Sequence, residues 1–322
     1  MPTLLSIEAL EADRRYVERQ LSEADGSPWG TARLMWQSRL AEIDQQIAAL
    51  AAGRSNYASV AVIFDGNPVI GSGDIRLDFT TEALESYQKV VALTLASRKG
   101  VEVSERGRLP AGDQARLFIR DLVRGSMGFI LEELPPQQHE MLPTQLKEAV
   151  EDTTQLISTL SSATDAEFEV ALEATQPRLV TAVQKFAKVL YEAGASTRIV
   201  GDERRLALSI DDVGRLSRRL GEVEVTEEVV PMDGVLLGVL PEARKFELRL
   251  PGDDASTMEG AVSEELAFKY TSDAAFKERL LLQPVRAQVK FIRTSRNGRL
   301  VRERRVLEAL EPSTPSSGGA PS

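Results

Sequence analysis

Basic side chains are concentrated in one short segment near the carboxyl end of the chain. Between residues 286 and 305 there are eight of them, against the single acid Glu303. They are Arg286, Lys290, Arg293, Arg296, Arg299, Arg302, Arg304 and Arg305. Guanidinium and ammonium groups on one exposed surface can contact the phosphates of a nucleic acid or the carboxylates of an acidic protein. The seven from Arg286 to Arg304 are therefore a candidate binding site for a polyanion or a protein partner.

A β-hairpin is the element that would hold these groups together. The Asn297-Gly298 step favours a two-residue turn, and the residues on either side alternate as in extended strands. Alternation places Arg286 and Lys290 on one face of the first strand and apolar residues on the other. Residues 201–312 contain 19 basic and 21 acidic residues, however. An acidic protein, an acidic surface of the same chain and plain solvent are therefore alternatives to nucleic acid.

Side chains that commonly carry out catalysis are scarce. The chain has no cysteine and a single histidine, His139, which lies in a proline-rich connection. This composition excludes thiolate nucleophiles, disulfides and cysteine-bound metals. It also leaves no set of imidazoles for a catalytic triad or a histidine zinc site. We therefore predict no bound cofactor.

Carboxylates supply the remaining chemistry. Six of them lie in hairpins and turns predicted for the middle of the chain, namely Asp65, Asp74, Asp78, Asp121, Glu132 and Glu133. Carboxylates that face each other can hold Mg²⁺ or act as an acid/base pair, which makes a metal-dependent enzyme one alternative. Acidic residues at turns and strand edges are also the usual solvated pattern. The sequence therefore identifies no catalytic or metal-binding residue.

The apolar residues of the first 53 positions follow helical spacing. Gly26 and Pro28 interrupt the pattern, which predicts two helices folded back on each other as an antiparallel hairpin. The second helix has a seam with the alternating steps of three and four residues that coiled coils use. The seam residues are Leu40, Ile43, Ile47 and Leu50. A hairpin of this size must bury its apolar side against the same chain, a second copy or a partner, so the seam is a candidate self-association surface.

Changes in the hydrophobic period divide the chain into three folded parts and a tail. Residues 1–53 form the helical hairpin, and residues 56–200 form a mixed α+β domain of β-hairpins and packed helices. Residues 201–311 form a small β-barrel, SH3-like or OB-like, with a short leading helix. Residues 312–322 lack an apolar anchor, which predicts a disordered tail. The expected fold class is therefore α+β multidomain.

Composition and charge are those of an ordinary folded protein. Of the 322 residues 42% are hydrophobic and 27% are charged, and the net charge of -10 disfavours non-specific binding to polyanions. No run approaches the roughly 18 apolar residues of a membrane span, and the first residues lack the basic region of a signal peptide. We expect a cytoplasmic protein with no membrane partner.

These patterns predict a non-catalytic protein-interaction or adaptor protein. It would self-associate or bind a partner through the N-terminal helices and the basic hairpin. The main alternative is a nucleic-acid-binding protein that uses the arginine-rich hairpin, and a metal-dependent carboxylate enzyme is the third.

Overall fold

A computed structural model describes residues 1–24, 30–53, 55–71, 73–99, 114–123, 127–134, 142–162, 164–252 and 256–313. The chain divides into two compact units, Met1–Gly221 and Glu222–Ser322. The described residues contain nine helices and twelve strands, so the architecture is mixed α+β as predicted. None of these helices is long and apolar enough to cross a membrane. His139 and the tail beyond residue 313 lie outside the described residues.

The first unit consists of a helical hairpin followed by a sheet and its helices. Its elements are α1 (Thr3–Ala24), α2 (Gly30–Ala52), β1 (Ser59–Gly66), β2 (Val69–Ile70), β3 (Asp74–Ile75), α3 (Leu77–Arg98), β4 (Phe118–Leu122), β5 (Met127–Glu132), α4 (Gln145–Ser162), α5 (Asp165–Ala174), α6 (Pro177–Ala193), β6 (Ala195–Val200), β7 (Arg205–Leu208) and α7 (Ile210–Gly221).

A five-stranded antiparallel sheet in the order β4-β5-β1-β6-β7 is the centre of the first unit. Its middle strand, β1, is covered on both faces. Ala61 and Ile63 pack with Leu5 of α1 on one face, and Phe64 meets Phe79 of α3 edge to face at 5.1 Å on the other. A strand buried on both faces has a continuous apolar run instead of an alternating pattern.

The N-terminal hairpin is joined to this sheet. Helices α1 and α2 pack antiparallel, with Arg14 Nε 3.0 Å from a carboxylate oxygen of Asp44. The first turn of α1 is fixed by Thr3, whose backbone N–H and hydroxyl donate to Asp202 at 2.7 and 2.9 Å. The first unit, Met1–Gly221, includes this hairpin, and the division of the unit into domains 1–53 and 56–200 stays a prediction.

The second unit contains five strands and two helices. Its elements are β8 (Val223–Leu240), β9 (Lys245–Arg249), β10 (Thr257–Val262), α8 (Glu264–Ser272), α9 (Ala274–Leu280), β11 (Pro284–Arg296) and β12 (Arg299–Pro312). Hydrogen bonding follows a closed ring in the order β10-β12-β11-β8-β9, and β9 pairs again with β10. The β10–β12 pair is parallel and the other pairs are antiparallel. We call these strands the five-stranded ring; an SH3-like or OB-like barrel type stays a prediction.

Several elements differ from the expectation. The third domain was expected to begin at residue 201, and in the structure β7 pairs with β6 through Ile199 and Leu206 within the first unit, which ends at Gly221. Strand β8 runs without a break through Pro231. Helices α5 and α8 were not predicted.

Candidate functional site

The basic segment forms the hairpin that the sequence predicts. Strands β11 and β12 pair along their length, and the turn is Asn297-Gly298 with φ angles of 50° and 77°. Asparagine and glycine tolerate positive φ better than other residues, which explains the turn. The seven predicted binding residues therefore lie on two paired strands.

A third strand brings acids to this hairpin. Strand β8 pairs with β11 and places Glu227 beside Lys290. The Lys290 Nζ lies 3.3 Å from a carboxylate oxygen of Glu227 and 2.8 Å from one of Glu308, and the lysine side chain is only 15% exposed. Burial disfavours its charge, but the two carboxylates outweigh burial and raise the pKa of Lys290. This cation is thus neutralised within the chain.

Two arginines of the hairpin are paired in the same way. Arg293 donates to Glu303 at 2.9 Å and to Glu228 at 3.0 Å. Arg296 Nη2 lies 3.0 Å from a carboxylate oxygen of Glu222. Glu222 and Glu228 both come from the region of β8, more than sixty positions before their partners in the sequence.

The other predicted residues of the hairpin differ among themselves. Arg299, Arg302 and Arg304 each interact with another group of the protein, and burial lowers the pKa of Arg304. Arg286 is exposed, and its register neighbours on the flanking strands are Asp233 and Glu311. The hairpin is therefore a surface of balanced charge. Nucleic-acid binding by the hairpin stays a prediction. Such binding needs an excess of unpaired cations, which the described residues of the hairpin do not show.

The predicted self-association seam lies inside the helical hairpin. Ile43 is fully buried, and Leu40, Ile47 and Leu50 are half-buried. Helix α2 packs on α1. Among the described residues of α2, the large exposed apolar side chains are instead Leu34 and Met35, which are 67% and 57% exposed. Self-association through the seam stays a prediction.

Three of the six carboxylates of the middle region pair with different groups. Asp78 pairs with Arg76 at 2.5 Å, and Glu132 pairs with the amino terminus at 2.5 Å. Glu133 accepts a hydrogen bond from the Thr144 hydroxyl at 2.6 Å. Within the part of the chain that the structure describes, no three His, Asp or Glu residues are grouped so that they could hold a metal ion. The metal-dependent enzyme gains no support from this region.

One cluster of charged side chains is buried in the first unit. The Lys147 Nζ lies 3.0 Å from the Asp202 Oδ2, and the two side chains are 5% and 2% exposed. Lys147 also donates to the carbonyl of Ser55. With the two hydrogen bonds from Thr3, Asp202 joins the start of α1, helix α4 and the β6–β7 turn.

Glu151 extends this buried cluster by one helical turn. Its Oε1 accepts the backbone N–H groups of Asp202 and Glu203 at 2.9 and 3.1 Å. Burial nevertheless raises the pKa of Glu151, and burial together with the nearby Glu151 charge raises the pKa of Tyr87. Perturbed groups often mark active sites, but these side chains are enclosed in the core. We therefore assign the cluster a structural role.

An apolar groove in the second unit was not predicted from the sequence. It lies between the β8–β9 turn and helix α8 and has a volume of about 660 Å³. Its lining residues are Leu240, Pro241, Glu242, Ala243, Arg244, Glu264, Ala267, Phe268 and Thr271. Phe268 is 73% exposed and Leu240 is 57% exposed. Two large apolar side chains thus face solvent in one concave surface, a feature typical of binding sites.

The rim of the groove is acidic. Glu242 and Glu264 lie on it with a single base, Arg244. The Arg244 Nη2 is 3.7 Å from a carboxylate oxygen of Glu264, a long and exposed pair that contributes little. Arg244 also has a φ of 48°, which is uncommon for a residue other than glycine. Helix α8 begins with a Ser263 N-cap before Glu264, so a helix signal was present in the sequence.

Compared with models of protein families, with curated proteins and with solved structures, the chain shows no significant match. Its function must therefore be inferred from the chemistry of these surfaces.

Proposed function

We propose that the chain is a non-catalytic protein-interaction protein and that the groove between the β8–β9 turn and α8 binds its partner. The exposure of Phe268 carries the proposal. A phenylalanine buries roughly 150–250 Å² when it is covered, and apolar area contributes about 25 cal/mol per Å². Covering the exposed part of this ring would therefore stabilise a complex by roughly 3 kcal/mol.

The rim indicates which kind of segment fits. Glu242 and Glu264 outnumber Arg244, so the electrostatic potential at the groove favours a basic neighbour. The apolar lining residues Leu240 and Phe268 favour an apolar anchor. The expected occupant is a protein segment with a large apolar side chain flanked by lysine or arginine.

The predicted class of function is thus kept, but the partner binds at the groove instead of at the basic hairpin or the helical seam. In the basic hairpin Lys290, Arg293 and Arg296 pair with acids of the same chain, and in the helical seam Ile43 is buried. We propose that the five-stranded ring is a small barrel whose role is to hold β8, β9 and α8 rigidly around the groove.

Selection of short random peptides displayed against the whole chain tests the proposal. We expect the enriched peptides to carry an apolar anchor flanked by basic residues, and Phe268→Asp to weaken their binding at least tenfold, about 1.4 kcal/mol. Leu300→Asp is the matched control, because Leu300 is 53% exposed in the same unit but lies outside the groove. Peptides that bind Phe268→Asp as tightly as the natural sequence, or that are acidic, would contradict the proposal.

A further inference from the structure

Strand β4 forms one edge of the sheet in the first unit. It pairs with β5 on one side, and no other strand of the described residues pairs with its second side. All five of its residues are exposed, and Phe118, Ile119 and Leu122 are 41%, 60% and 53% exposed. An edge with large apolar side chains is a template for pairing with a further strand.

A β-bulge at Arg120 decides which side chains of β4 share a face. Ile119 lies opposite Leu131 of β5, and Leu122 lies opposite Phe129. These partners are two residues apart on β5 and so lie on one face. Ile119 and Leu122 therefore share a face although they are three residues apart, which an unbulged strand would not allow.

This geometry makes β4 complementary to itself. In an antiparallel pair of two β4 strands with a two-fold axis between Arg120 and Asp121, Arg120 lies opposite Asp121 of the other copy. Ile119 then lies opposite Leu122, and Phe118 lies opposite Val123. Because the axis is two-fold, each contact occurs twice. Opposite charges and apolar pairs facing each other stabilise antiparallel strands.

The neighbouring registers are unfavourable. A shift of one residue places either Arg120 opposite Arg120 or Asp121 opposite Asp121, and like charges directly opposite destabilise a pair of strands. The first of these shifts also places Ile119 opposite Asp121, and the second places Leu122 opposite Arg120. The sequence of β4 thus specifies one register for a second copy of the chain.

The backbone of β4 also has a donor on its open side. The N–H of Val123 points to β5 and donates to the Gly128 carbonyl at 2.9 Å. The N–H of Leu122 has the Asp121 carboxylate as its acceptor, at 2.8 Å. In the paired strands the carbonyl of Ile119 from the other copy would take this N–H and release Asp121 to meet Arg120.

We propose that two copies of the chain associate through β4, so that their two sheets continue into each other across the two-fold axis. This interface is separate from the groove around Phe268 and from the helical seam. The occupant is a second copy because the register, the charges and the apolar pairs of β4 match those of β4 itself.

Sedimentation velocity of the full chain over a range of concentrations tests the proposal. We expect a concentration-dependent dimer. Arg120→Asp and Asp121→Arg should each raise the dissociation constant about tenfold, because each places like charges opposite each other twice. The double variant R120D/D121R restores both pairs, so its dissociation constant should return to within about threefold of the natural value.

Two further variants separate this interface from other sources of association. Ile119→Asp should abolish the dimer, whereas Ile70→Asp, a matched change at a site 67% exposed in the same unit, should leave it intact. Far-ultraviolet circular dichroism checks that each variant folds. A monomer at every concentration, a charge swap that fails to restore association, or a dimer lost in Phe268→Asp would overturn the proposal. The last result would mean that a second copy occupies the groove.

Discussion

Replacing Lys147 with methionine should strongly destabilise the first unit. Loss of one partner from a buried ion pair leaves an uncompensated charge, at a cost of about 3–5 kcal/mol. The Asp202 side chain is 2% exposed, so water cannot replace the ammonium group. The two hydrogen bonds from Thr3 continue to stabilise the carboxylate. We therefore expect the lower end of the range, a loss of about 3 kcal/mol in the free energy of unfolding.

The chain provides a convenient probe for this measurement. Both of its tryptophans, Trp29 and Trp36, belong to the first unit. Urea unfolding followed by tryptophan emission therefore reports on that unit, and far-ultraviolet circular dichroism follows the whole chain. For a unit of this size, 3 kcal/mol corresponds to roughly 6–12 °C in the melting temperature.

A double variant tests the physical reason for the loss. Lys147→Met combined with Asp202→Asn removes both charges of the pair, and the asparagine oxygen can still accept from Thr3. The double variant should therefore lose clearly less stability than the two single changes added together. A Lys147→Met protein within about 1 kcal/mol of the natural chain, or strictly additive losses, would refute the assignment of Lys147 and Asp202 as a buried, coupled pair.

Two other predictions concern carboxylates. Burial raises the pKa of Glu151 in the folded state above its ordinary 4.5. The folded state therefore binds the proton more tightly than the unfolded state does, which stabilises the fold fully below pH 4.5. This contribution is lost as the pH rises through the folded-state pKa. The urea midpoint of Glu151→Gln should therefore fall less than that of the natural chain as the pH rises from 4.5. Removal of the acids beside Arg293 and Arg296, in Glu222→Gln combined with Glu228→Gln, should increase oligonucleotide binding and steepen its salt dependence, measured by fluorescence anisotropy. Equal binding by both proteins would contradict neutralisation of the hairpin by β8.

Elements with local signals were predictable from the sequence. Pro177 begins α6 and Gly194, with a φ of 63°, ends it. The Asn297-Gly298 turn fixes the register of β11 and β12 in the same way. These features depend on the backbone preferences of one or two residues, so they can be predicted from the residue types alone.

The charge balance and the groove could not be predicted in this way. Glu228 contacts Arg293 because β8 pairs with β11. These strands are far apart in the sequence, and neither segment alone indicates which strand it pairs with. Phe268 is apolar, and apolar residues are normally assigned to a core. Helix α8 packs the side that carries Leu266 and Tyr270 on the core of the second unit. Phe268 lies on the other side of the helix and is therefore exposed.

The contact of Thr3 with Asp202 also has a consequence for the order of events during synthesis. Helices α1 and α2 are close in sequence and can pair as soon as both have left the ribosome. Their docking site on the body, however, is completed only when residue 202 has been made. At about 5–20 residues per second the hairpin would wait roughly 8–30 s. During that interval Leu5 and the side of strand β1 that pairs with β6 remain exposed, and the chain is then most open to chaperones and to aggregation.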